Sequence, residues 1–314
     1  MGLSLASVCY NALRITGVTT VVRRVTNGGV VLCYHNVVGS TRRAPTSQLG
    51  LHMPLATFRR QMLWLREHYA VVPLDELVRR LVRGKSLRGV AAITFDDGYA
   101  GVFEHAWPLL RQLGLAATVF IVADAPGRQD GFWWDDPDVL RVYSPQREHR
   151  WLTQLQGDQT RIVQAVAPGR AAWRSPRWCR PATWETIAAA ATSGTGTGGG
   201  AGLHIGVHSA THRSLPTLTE VDLSREIVAS RDVIQRHTGV TPTLFTYPYG
   251  HWNDRVRRAV LAAGYRGAFT LAADKQSLKR DPWTVPRLNI PAYIDDAAFE
   301  AWTAGLNLRR RASA

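Results

Sequence analysis

The sequence predicts an α/β fold built on parallel strands, because short apolar runs alternate with segments of helical periodicity along most of the chain. Two of the apolar runs end in polar side chains: residues 91–95 lead into Asp96 and Asp97, and residues 205–207 lead into His208. Side chains at the carboxyl ends of parallel strands meet at one face of a barrel, where such folds place their active sites. At 314 residues, the chain has the length of one such barrel.

The individual elements follow from this alternation in chain order. Short apolar runs predict strands at 30–34, 91–95, 117–122, 243–247 and 266–271. Apolar residues spaced three and four apart predict helices at 57–69, 74–82, 102–113, 183–191, 220–237 and 254–263. Repeated strand and helix units of this kind are typical of a parallel sheet covered by helices.

The regular alternation of strands and helices predicts one domain over residues 29–305, with two interruptions. Residues 124–180 are rich in Trp, Arg, Pro and Gly and contain one predicted helix, at about 152–166. We interpret this segment as an insertion that covers one end of the barrel. The glycine-rich residues 193–202 predict a flexible loop, since no Gly-Lys-Ser/Thr motif accompanies them, and residues 306–314 form a basic tail.

The N-terminal segment, residues 1–28, predicts an amphipathic helix over about residues 3–25 that carries Arg14, Arg23 and Arg24. It lacks the basic start of a secretory signal peptide. The helix would lie on a membrane surface or pack on the barrel, and both alternatives stay open. We therefore expect a protein in the cytoplasm or at the periphery of the cytoplasmic membrane.

Composition and charge narrow the class of protein. The chain is 45% apolar and 20% charged, which is typical of a folded globular protein. The formal net charge of +14 is carried almost wholly by arginine. Because the basic residues are scattered and no aromatic-interleaved motif accompanies them, we expect no nucleic-acid partner. The 3 cysteines are too few for a disulfide framework.

Three short motifs carry the candidate chemistry. Thr94-Phe95-Asp96-Asp97-Gly98 sets two carboxylates after a strand, His208-Ser209-Ala210-Thr211-His212 places two histidines four residues apart, and Pro248-Tyr249 follows a third strand. One carboxylate and two imidazoles can make a metal site with an open position, which leaves the other aspartate free as a base. Taken singly, the first motif is also an ordinary turn and the second a chance surface pair.

In this order, the three motifs resemble those of the polysaccharide deacetylase family, the carbohydrate esterases that share the NodB homology domain. Tyr34-His35-Asn36 near the start and Pro286-Arg287-Leu288 near the end extend the resemblance over residues 30–290. The early Tyr-His block is similar to the branch that deacetylates poly-N-acetylglucosamine. The resemblance implies the distorted, incomplete (β/α) barrel of that family.

The resemblance also implies a role for most of the motif residues. Asp97, His208 and His212 would hold one divalent ion, with zinc foremost and cobalt, nickel or iron as alternatives. Asp96 would be the general base that accepts a proton from water. The backbone N–H of Tyr249 would help to hold the oxyanion of the tetrahedral intermediate.

Two further assignments address departures from the usual family pattern. No histidine follows His251, where many members place the acid histidine, so His35 is the candidate proton donor, with a structural histidine as the alternative. Thr246 stands where the family usually has an arginine two residues before Pro-Tyr. Arg287 would instead pair with Asp96 and orient it, unless Arg287 is one more surface arginine.

The implied activity is hydrolysis of N-acetyl groups on N-acetylhexosamine units of a polysaccharide or of its lipid-linked precursor. O-deacetylation is the first alternative, and a non-catalytic glycan-binding or assembly protein that kept the barrel is the second. The expected partner is an acetylated glycan, and Phe132, Trp133 and Trp134 would either stack on its sugar rings or anchor the insertion. The sequence makes no prediction of oligomeric state.

Overall fold

A closed ring of parallel strands forms the centre of the molecule. The computed structural model describes residues 5–26, 28–39, 49–171, 173–193, 202–272 and 281–307. The strands are β1 (Val30–Tyr34), β2 (Asn36–Val38), β3 (His52–Pro54), β4 (Ala70–Val71), β5 (Val90–Phe95), β6 (Ala117–Ile121), β7 (Leu203–Val207), β8 (Leu244–Thr246), β9 (Gly267–Ala272) and β10 (Val285–Asn289).

The barrel closes through its first strand. The sheet runs in the order β1-β10-β9-β8-β7-β6-β5-β4, and β1 also pairs with β5, so seven strands form a closed ring. All pairings are parallel, with Tyr34 opposite Phe95 on one side of β1 and Leu32 opposite Leu288 on the other. The short strand β4 pairs with the start of β5, and β6 pairs with its end. The predicted α/β barrel is confirmed.

Burial on both faces explains the composition of the strands. Every residue of β1, β5 and β6 is buried, because one face of each strand fills the barrel and the other packs against helices. Parallel strands of this kind read as continuous apolar runs rather than as alternating patterns. These continuous apolar runs are the pattern from which the strands were predicted.

The helices are α1 (Leu5–Ile15), α2 (Val18–Val25), α3 (Leu55–His68), α4 (Leu74–Val82), α5 (Trp107–Leu113), α6 (Pro137–Arg141), α7 (Pro145–Gln154), α8 (Gln159–Val166), α9 (Trp184–Ser193), α10 (Glu220–Ser224), α11 (Ser230–Thr238), α12 (Asp254–Ala262) and α13 (Asp296–Ala304). A π-helical turn precedes α5 and another joins α10 to α11. The helices predicted at 102–113 and 220–237 are therefore continuous.

The segment between β6 and α9 contains three helices, so the prediction of one helix at about 152–166 is wrong. Helices α7 and α8 are separated there by Gln156 and Gly157, which both have positive φ, +59° and +69°. Two consecutive left-handed residues cannot continue a right-handed helix. Asp158 then caps α8 by accepting a hydrogen bond from the Arg161 backbone N–H.

The N-terminal segment forms two helices where one was predicted. Gly17, in the left-handed conformation at φ +73°, separates α1 from α2, and their axes differ by 72°. Within the described residues, no individual helix is long and apolar enough to cross a membrane. Taken together, the two helices of this bent pair have the necessary length and apolar composition. Both helices pack on α13, which was not predicted.

Two predicted segments lie mostly outside the described residues. They are residues 194–201 of the glycine-rich loop and residues 308–314 of the basic tail.

Candidate metal and catalytic site

The sequence-predicted site residues gather around one cleft at the carboxyl ends of the strands. His35 directly follows β1, Asp96 and Asp97 follow β5, and His208 follows β7. Together with His212 and Tyr249, they line a cavity of about 580 Å³. Strand ends hold these side chains rigidly while leaving them open to the cleft, as expected for the active-site face of a barrel.

Three of these side chains form a compact triangle of metal-ligand atoms. The Asp97 Oδ1 atom lies 3.6 Å from His208 Nε2 and 3.5 Å from His212 Nε2, and the two Nε2 atoms are 3.1 Å apart. Two ligands of a tetrahedral ion with bonds of about 2.1 Å are separated by roughly 3.4 Å. The separations therefore fit one divalent ion bound between the three side chains.

The charge states of the triangle also fit a cation. Burial lowers the pKa of His208 and of His212, so both rings are neutral and their nitrogens can act as ligands. Burial, together with the neighbouring Asp96 and Asp135 charges, raises the pKa of Asp97 well above its usual range. The buried Asp97 Oδ1 and His212 Nδ1 atoms have no hydrogen-bond partner among the described residues. A bound cation would compensate the buried Asp97 carboxylate.

Thr246 fixes the orientation of the His208 ring. Its Nδ1 atom lies 3.1 Å from the Thr246 carbonyl oxygen and also contacts the Thr246 hydroxyl. A hydrogen bond from Nδ1–H to that carbonyl places the free lone pair on Nε2, which points towards Asp97 and His212. Thr246, two residues before Pro248, therefore contacts a metal-ligand candidate and not Asp96.

Asp96 is held by a two-point ion pair with Arg287. The Nη1 and Nη2 atoms of Arg287 donate to the two carboxylate oxygens at 2.7 and 2.6 Å, and Nη1 also donates to Thr94 Oγ1 at 3.1 Å. Arg287 is completely buried. The Cys33 thiol donates to Asp96 Oδ2 at 3.4 Å. The structure therefore brings Arg287 to Asp96, and its functional role stays a prediction.

The ion pair decides the charge of Asp96. Burial alone would raise the pKa of Asp96, but the Arg287 charge, with contributions from His208 and from the Arg287 hydrogen bonds, more than offsets burial. The pKa of Asp96 is therefore held well below its usual range, and the carboxylate is ionised at neutral pH. Its Oδ2 atom lies 3.7 Å from His208 Nε2, at the edge of the metal-ligand triangle.

His35 lies close to Asp96, in a second group of side chains outside the metal-ligand triangle. A ring nitrogen of His35, the Cys33 thiol and an Asp96 carboxylate oxygen all lie within 4.8 Å of one another. Burial lowers the pKa of His35 to about 4, against the opposing effect of the Asp96 carboxylate. The ring is thus neutral in the free protein at neutral pH. The nearby Arg287 charge disfavours a second cation at this group.

Backbone strain marks the same cleft. The described residues include five non-glycine residues with positive φ, and four of them are Asp97, Ser209, His212 and Tyr249, at +70°, +63°, +62° and +59°. The left-handed conformation costs a non-glycine residue roughly 1–2 kcal/mol. Strain of this kind persists where the surrounding structure enforces it and is concentrated at functional sites. These turns aim the Asp97, His212 and Tyr249 groups into the cleft.

Comparison with known proteins identifies the family. A family profile described as polysaccharide deacetylase matches residues 83–268, more than half of the chain. The chain belongs to the polysaccharide deacetylase family. The resemblance found in the sequence motifs is thereby confirmed, and the chain is a hydrolase of the deacetylase class.

Individual relatives of this deacetylase are distant. The Bacillus subtilis protein YxkH is 20% identical over 274 residues, which cover 87% of this chain and 75% of that protein. The poly-β-1,6-N-acetyl-D-glucosamine N-deacetylase of Escherichia coli K12 is 24% identical over 255 residues, or 78% of this chain. The chain spans only 34% of the length of that second relative.

Two solved structures share the fold of this deacetylase. The Streptococcus pyogenes deacetylase PplD superposes with a TM-score of 0.59 at 17% identity, covering 85% of this chain and 93% of its own. IcaB from Ammonifex degensii superposes with a TM-score of 0.60 at 20% identity, covering 89% of this chain and 98% of its own. At these identities the likeness establishes the barrel.

The family is metal-dependent, and the Asp97, His208 and His212 triangle of this deacetylase fits that requirement. The loop that carries the two histidines is held by a residue that the sequence analysis missed. The buried Glu226 carboxylate accepts hydrogen bonds from the backbone N–H groups of Ala210 and Thr211, both at 2.9 Å. No motif around Glu226 indicates this role, because the contact joins a helix to a loop that is distant in sequence.

The segment between β6 and α9, which we interpreted from the sequence as an insertion, forms one wall of the cleft. Trp133 donates from its indole N–H to the Tyr249 hydroxyl at 3.2 Å, and the Trp134 ring packs on His212 with centroids 4.6 Å apart. Both tryptophans are buried, as is Phe132, so they anchor the insertion to the barrel. Glu148 and His149 from α7 line the outer part of the same cleft.

A buried polar network locks this wall in place. The Asp135 carboxylate bonds His52 Nε2 at 2.7 Å and accepts from the Tyr99 hydroxyl at 2.6 Å. Tyr99 in turn accepts a hydrogen bond from the Trp134 indole at 2.8 Å. His52, which has no place in the matched motifs, therefore connects β3 to the insertion and has a structural explanation.

Proposed function

We propose that this chain removes the N-acetyl group from N-acetylhexosamine units of a polysaccharide or of its lipid-linked precursor, with zinc as the bound ion. The observation that carries the proposal is the triangle of Asp97, His208 and His212 beside an Asp96 carboxylate that is held ionised by Arg287. An amide is a poor substrate for hydrolysis without an activated water and a stabilised oxyanion, and this cleft offers groups for both.

A divalent ion between the three ligands would supply Lewis-acid chemistry, by polarising the carbonyl and lowering the pKa of water. Zinc is favoured because two imidazoles and one carboxylate match its ligand set with an open position, and cobalt, nickel and iron accept the same ligands. The two ring nitrogens are neutral and the third ligand is a carboxylate, as such binding requires.

Asp96 would take the proton from the attacking water. Its ionised state, maintained by Arg287, keeps the carboxylate able to accept a proton at neutral pH. The same two-point contact fixes the carboxylate plane, so that Asp96 meets the water in one orientation. Arg287 would act through Asp96 as a positioning residue.

The Tyr249 backbone N–H would stabilise the oxyanion, and the His35 ring would donate a proton to the departing amine. Tyr249 is held in a strained turn that follows β8, and a fixed N–H of this kind typically contributes about 100-fold or more in rate. His35 lies beside Asp96 and lines the cleft, as the departing amine's proton donor must. Because the pKa of His35 is lowered to about 4, its proton would have to arrive during the reaction.

The choice of an N-acetylhexosamine polymer is supported by the Escherichia coli relative, whose name gives poly-β-1,6-N-acetyl-D-glucosamine as its substrate. The position of His35 in an early Tyr-His block agrees with that branch. An open cleft of about 580 Å³ has room for more than one sugar unit.

The test is acetate release from β-1,6- and β-1,4-linked N-acetylglucosamine oligomers, using zinc-reconstituted protein, with free amines counted in parallel. Equal release of acetate and amine is expected. Asp96→Asn should keep the metal and lose about 10²- to 10⁴-fold in turnover, whereas Asp97→Asn should lose the metal. If Asp96→Asn lost the metal and Asp97→Asn kept it, their roles would have to be exchanged.

Two other results would replace the proposal. Acetate release from O-acetylated glycans alone, without new amines, would make the chain an O-deacetylase. Retention of metal and glycan binding with no acetate release from any substrate would make it a binding protein that kept the barrel.

A further inference from the structure

The two N-terminal helices turn an apolar stripe away from the protein. Exposed apolar residues recur at intervals of three and four along both helices; they are Leu5, Val8, Ala12 and Ile15 on α1 and Val18, Val21 and Val25 on α2. The exposed fractions are large for Leu5 (81%), Ile15 (84%), Val21 (61%) and Val25 (66%). A helix on a soluble protein normally turns such a stripe towards the core. Here the stripe faces outwards.

The opposite side of α2, which carries Thr19, Val22 and Arg23, faces the protein. Thr19 is buried, and the Arg23 guanidinium lies over the rings of Trp64 and Tyr69, at 5.5 and 5.8 Å from their centroids. Cation–π contacts of this kind hold an arginine against an aromatic surface. The inward face of α2 is therefore occupied by specific contacts, and Val18, Val21 and Val25 remain outside.

Helix α1 is held in its orientation by α13. The Tyr10 hydroxyl accepts a hydrogen bond from the Trp302 indole at 2.8 Å, and Ser7 donates to Asp295 at 3.1 Å. Tyr10 is buried, whereas Leu5 and Ile15 on the other side of the same helix are mostly exposed. The outward stripe is thus a fixed feature of the packed helix pair.

The surroundings of the stripe are basic. Up to residue 66, the described residues include no Asp or Glu and six arginines; these are Arg14, Arg23, Arg24, Arg59, Arg60 and Arg66. Arg24 is exposed beside Val21 and Val25 and makes no ion pair with any described residue. The acidic groups that α13 presents are engaged: Asp295 by Ser7, Asp296 by Arg60 and Glu300 by Arg14.

We propose that α1 and α2 dock the protein on the surface of an anionic phospholipid membrane. The apolar stripe would enter the boundary between headgroups and acyl chains, while Arg24 contacts lipid phosphates. A second copy of the chain fits the stripe less well, because it is a single line of small aliphatic side chains without the aromatic anchors of stable protein interfaces. No residue of α1 or α2 lines the cleft of the metal ligands, and the proposal does not rest on the proposed function.

The experiment is flotation of the full chain with vesicles of phosphatidylcholine and phosphatidylglycerol, and with vesicles of phosphatidylcholine alone. Wild type should bind the anionic vesicles, and binding should weaken at high salt. Val21→Gln/Val25→Gln, which leaves the charge unchanged, should weaken binding by about tenfold or more, and Arg24→Gln should weaken it on anionic vesicles only.

The matched control is Val82→Gln/Val221→Gln, which changes two mostly exposed valines elsewhere, at 56% and 81%. This control should bind like wild type. Far-ultraviolet circular dichroism and the thermal midpoint should be unchanged in both valine pairs, since all four side chains are exposed. Acetate release from a soluble oligomer, measured separately, reports on the cleft and is expected to be the same in all these proteins.

Three outcomes would overturn the proposal. The first is absence of wild-type binding to anionic vesicles, or binding that both valine pairs weaken equally. The second is a wild-type dimer that Val21→Gln/Val25→Gln dissociates, which would assign the stripe to a second copy. The third is vesicle binding that resists alkaline carbonate, which would indicate that the bent helix pair inserts across the bilayer.

Discussion

Two adjacent carboxylates in this cleft have opposite electrostatic environments. Asp96 is neutralised by Arg287 and stays ionised, whereas Asp97 forms no ion pair with a described arginine or lysine and burial raises its pKa. The positive φ of Asp97 turns its side chain towards the two histidines. Groups whose environments push their pKa values apart commonly take different roles in one reaction. Asp97 is suited to hold a cation and Asp96 to exchange a proton.

The Arg287–Asp96 pair should contribute to stability in a way that depends on both partners. Arg287→Met leaves a buried carboxylate without its counter-charge, and we expect the free energy of unfolding to fall by about 3–5 kcal/mol. Adding Asp96→Asn to that variant should recover much of the loss, because it removes the unpaired charge. Urea unfolding of the metal-free wild type, both single variants and the double variant measures this coupling.

The control for that series is Arg79→Met, which breaks surface pairs with Asp75 and Glu76 and should cost about 1 kcal/mol. A loss in Arg287→Met no larger than in Arg79→Met would mean that the buried pair adds nothing to stability.

The assignment of His35 as proton donor makes a prediction about substrate dependence. Protonation matters most for an amine leaving group and least for an activated aryl ester, which departs as an anion. His35→Gln should therefore reduce deacetylation of an N-acetyl glycan by about 10²-fold or more and affect aryl acetate hydrolysis far less. Both rates should be measured at equal metal content.

His251→Gln provides the matched control, because His251 lines the same cleft without contacting Asp96. It should change the two rates by similar, small factors. An equal loss on both substrates in His35→Gln would return His35 to a structural role.

At the scale of elements, the site depends on loops that are braced from outside. The His208–His212 loop contains two left-handed residues and is tied to the helical segment after α10 by Glu226. Three hydrogen bonds from Ala210 and Thr211 converge on that one carboxylate. Rigid positioning of ligands by such contacts typically governs metal affinity as much as the ligands themselves.

Removal of the brace should therefore weaken metal binding without touching a ligand. Glu226→Ala leaves buried N–H donors unsatisfied, and we expect a stability loss of about 2 kcal/mol or more and a metal affinity about 10- to 100-fold lower. Competition with a chromogenic chelator measures the affinity. The control is Glu220→Ala, which changes an exposed glutamate on the neighbouring helix α10. This variant should keep wild-type metal affinity. Equal affinities in both variants would show that the loop holds its shape without Glu226.

The sequence predicted the elements whose signal is local. The strands β1 and β5 are continuous apolar runs, and the residues that follow them fell at the cleft because parallel strands end on one face. The ends of α7 and α8 were missed, because the break depends on positive φ at Gln156, a residue that gives no such signal. Helix α13 was also missed, although Asp295 caps it in a way that is readable from sequence.

Side-chain partners were harder to predict than elements. The contact of Arg287 with Asp96 was expected through the resemblance, and the structure brings the two together. The contact of Glu226 with the His208–His212 loop was not predicted. Its partners are backbone N–H groups, which every residue except proline has, so the sequence does not indicate them. The outward orientation of α2 also escaped prediction, since an amphipathic pattern does not say which face meets the protein.

At the scale of the whole molecule, metal binding and folding are linked. An ion that binds only the folded protein stabilises it, by about 2.7 kcal/mol when the free metal is at 100 times its dissociation constant. Chelator treatment should therefore lower the thermal midpoint by several degrees, and zinc should restore it. His212→Ala should abolish this response. His237→Ala, which changes an exposed histidine stacked on Trp184, should preserve it, and a zinc response that survives in His212→Ala would place the ion elsewhere.

The closure of the barrel through β1 has a consequence for synthesis of the chain. Leu32 of β1 pairs with Ile93 on one side and with Leu288 on the other. One edge of the first barrel strand therefore stays unpaired until the last strand has been synthesised. Arg287 lies in that last strand, and until it docks, the Asp96 carboxylate has no counter-charge in the barrel interior. A nascent chain still attached to the ribosome before β10 emerges therefore has two open sheet edges and an uncompensated acid. Closure of the ring and pairing of the Asp96 carboxylate with its counter-charge therefore occur in the same step, when β10 docks between β9 and β1.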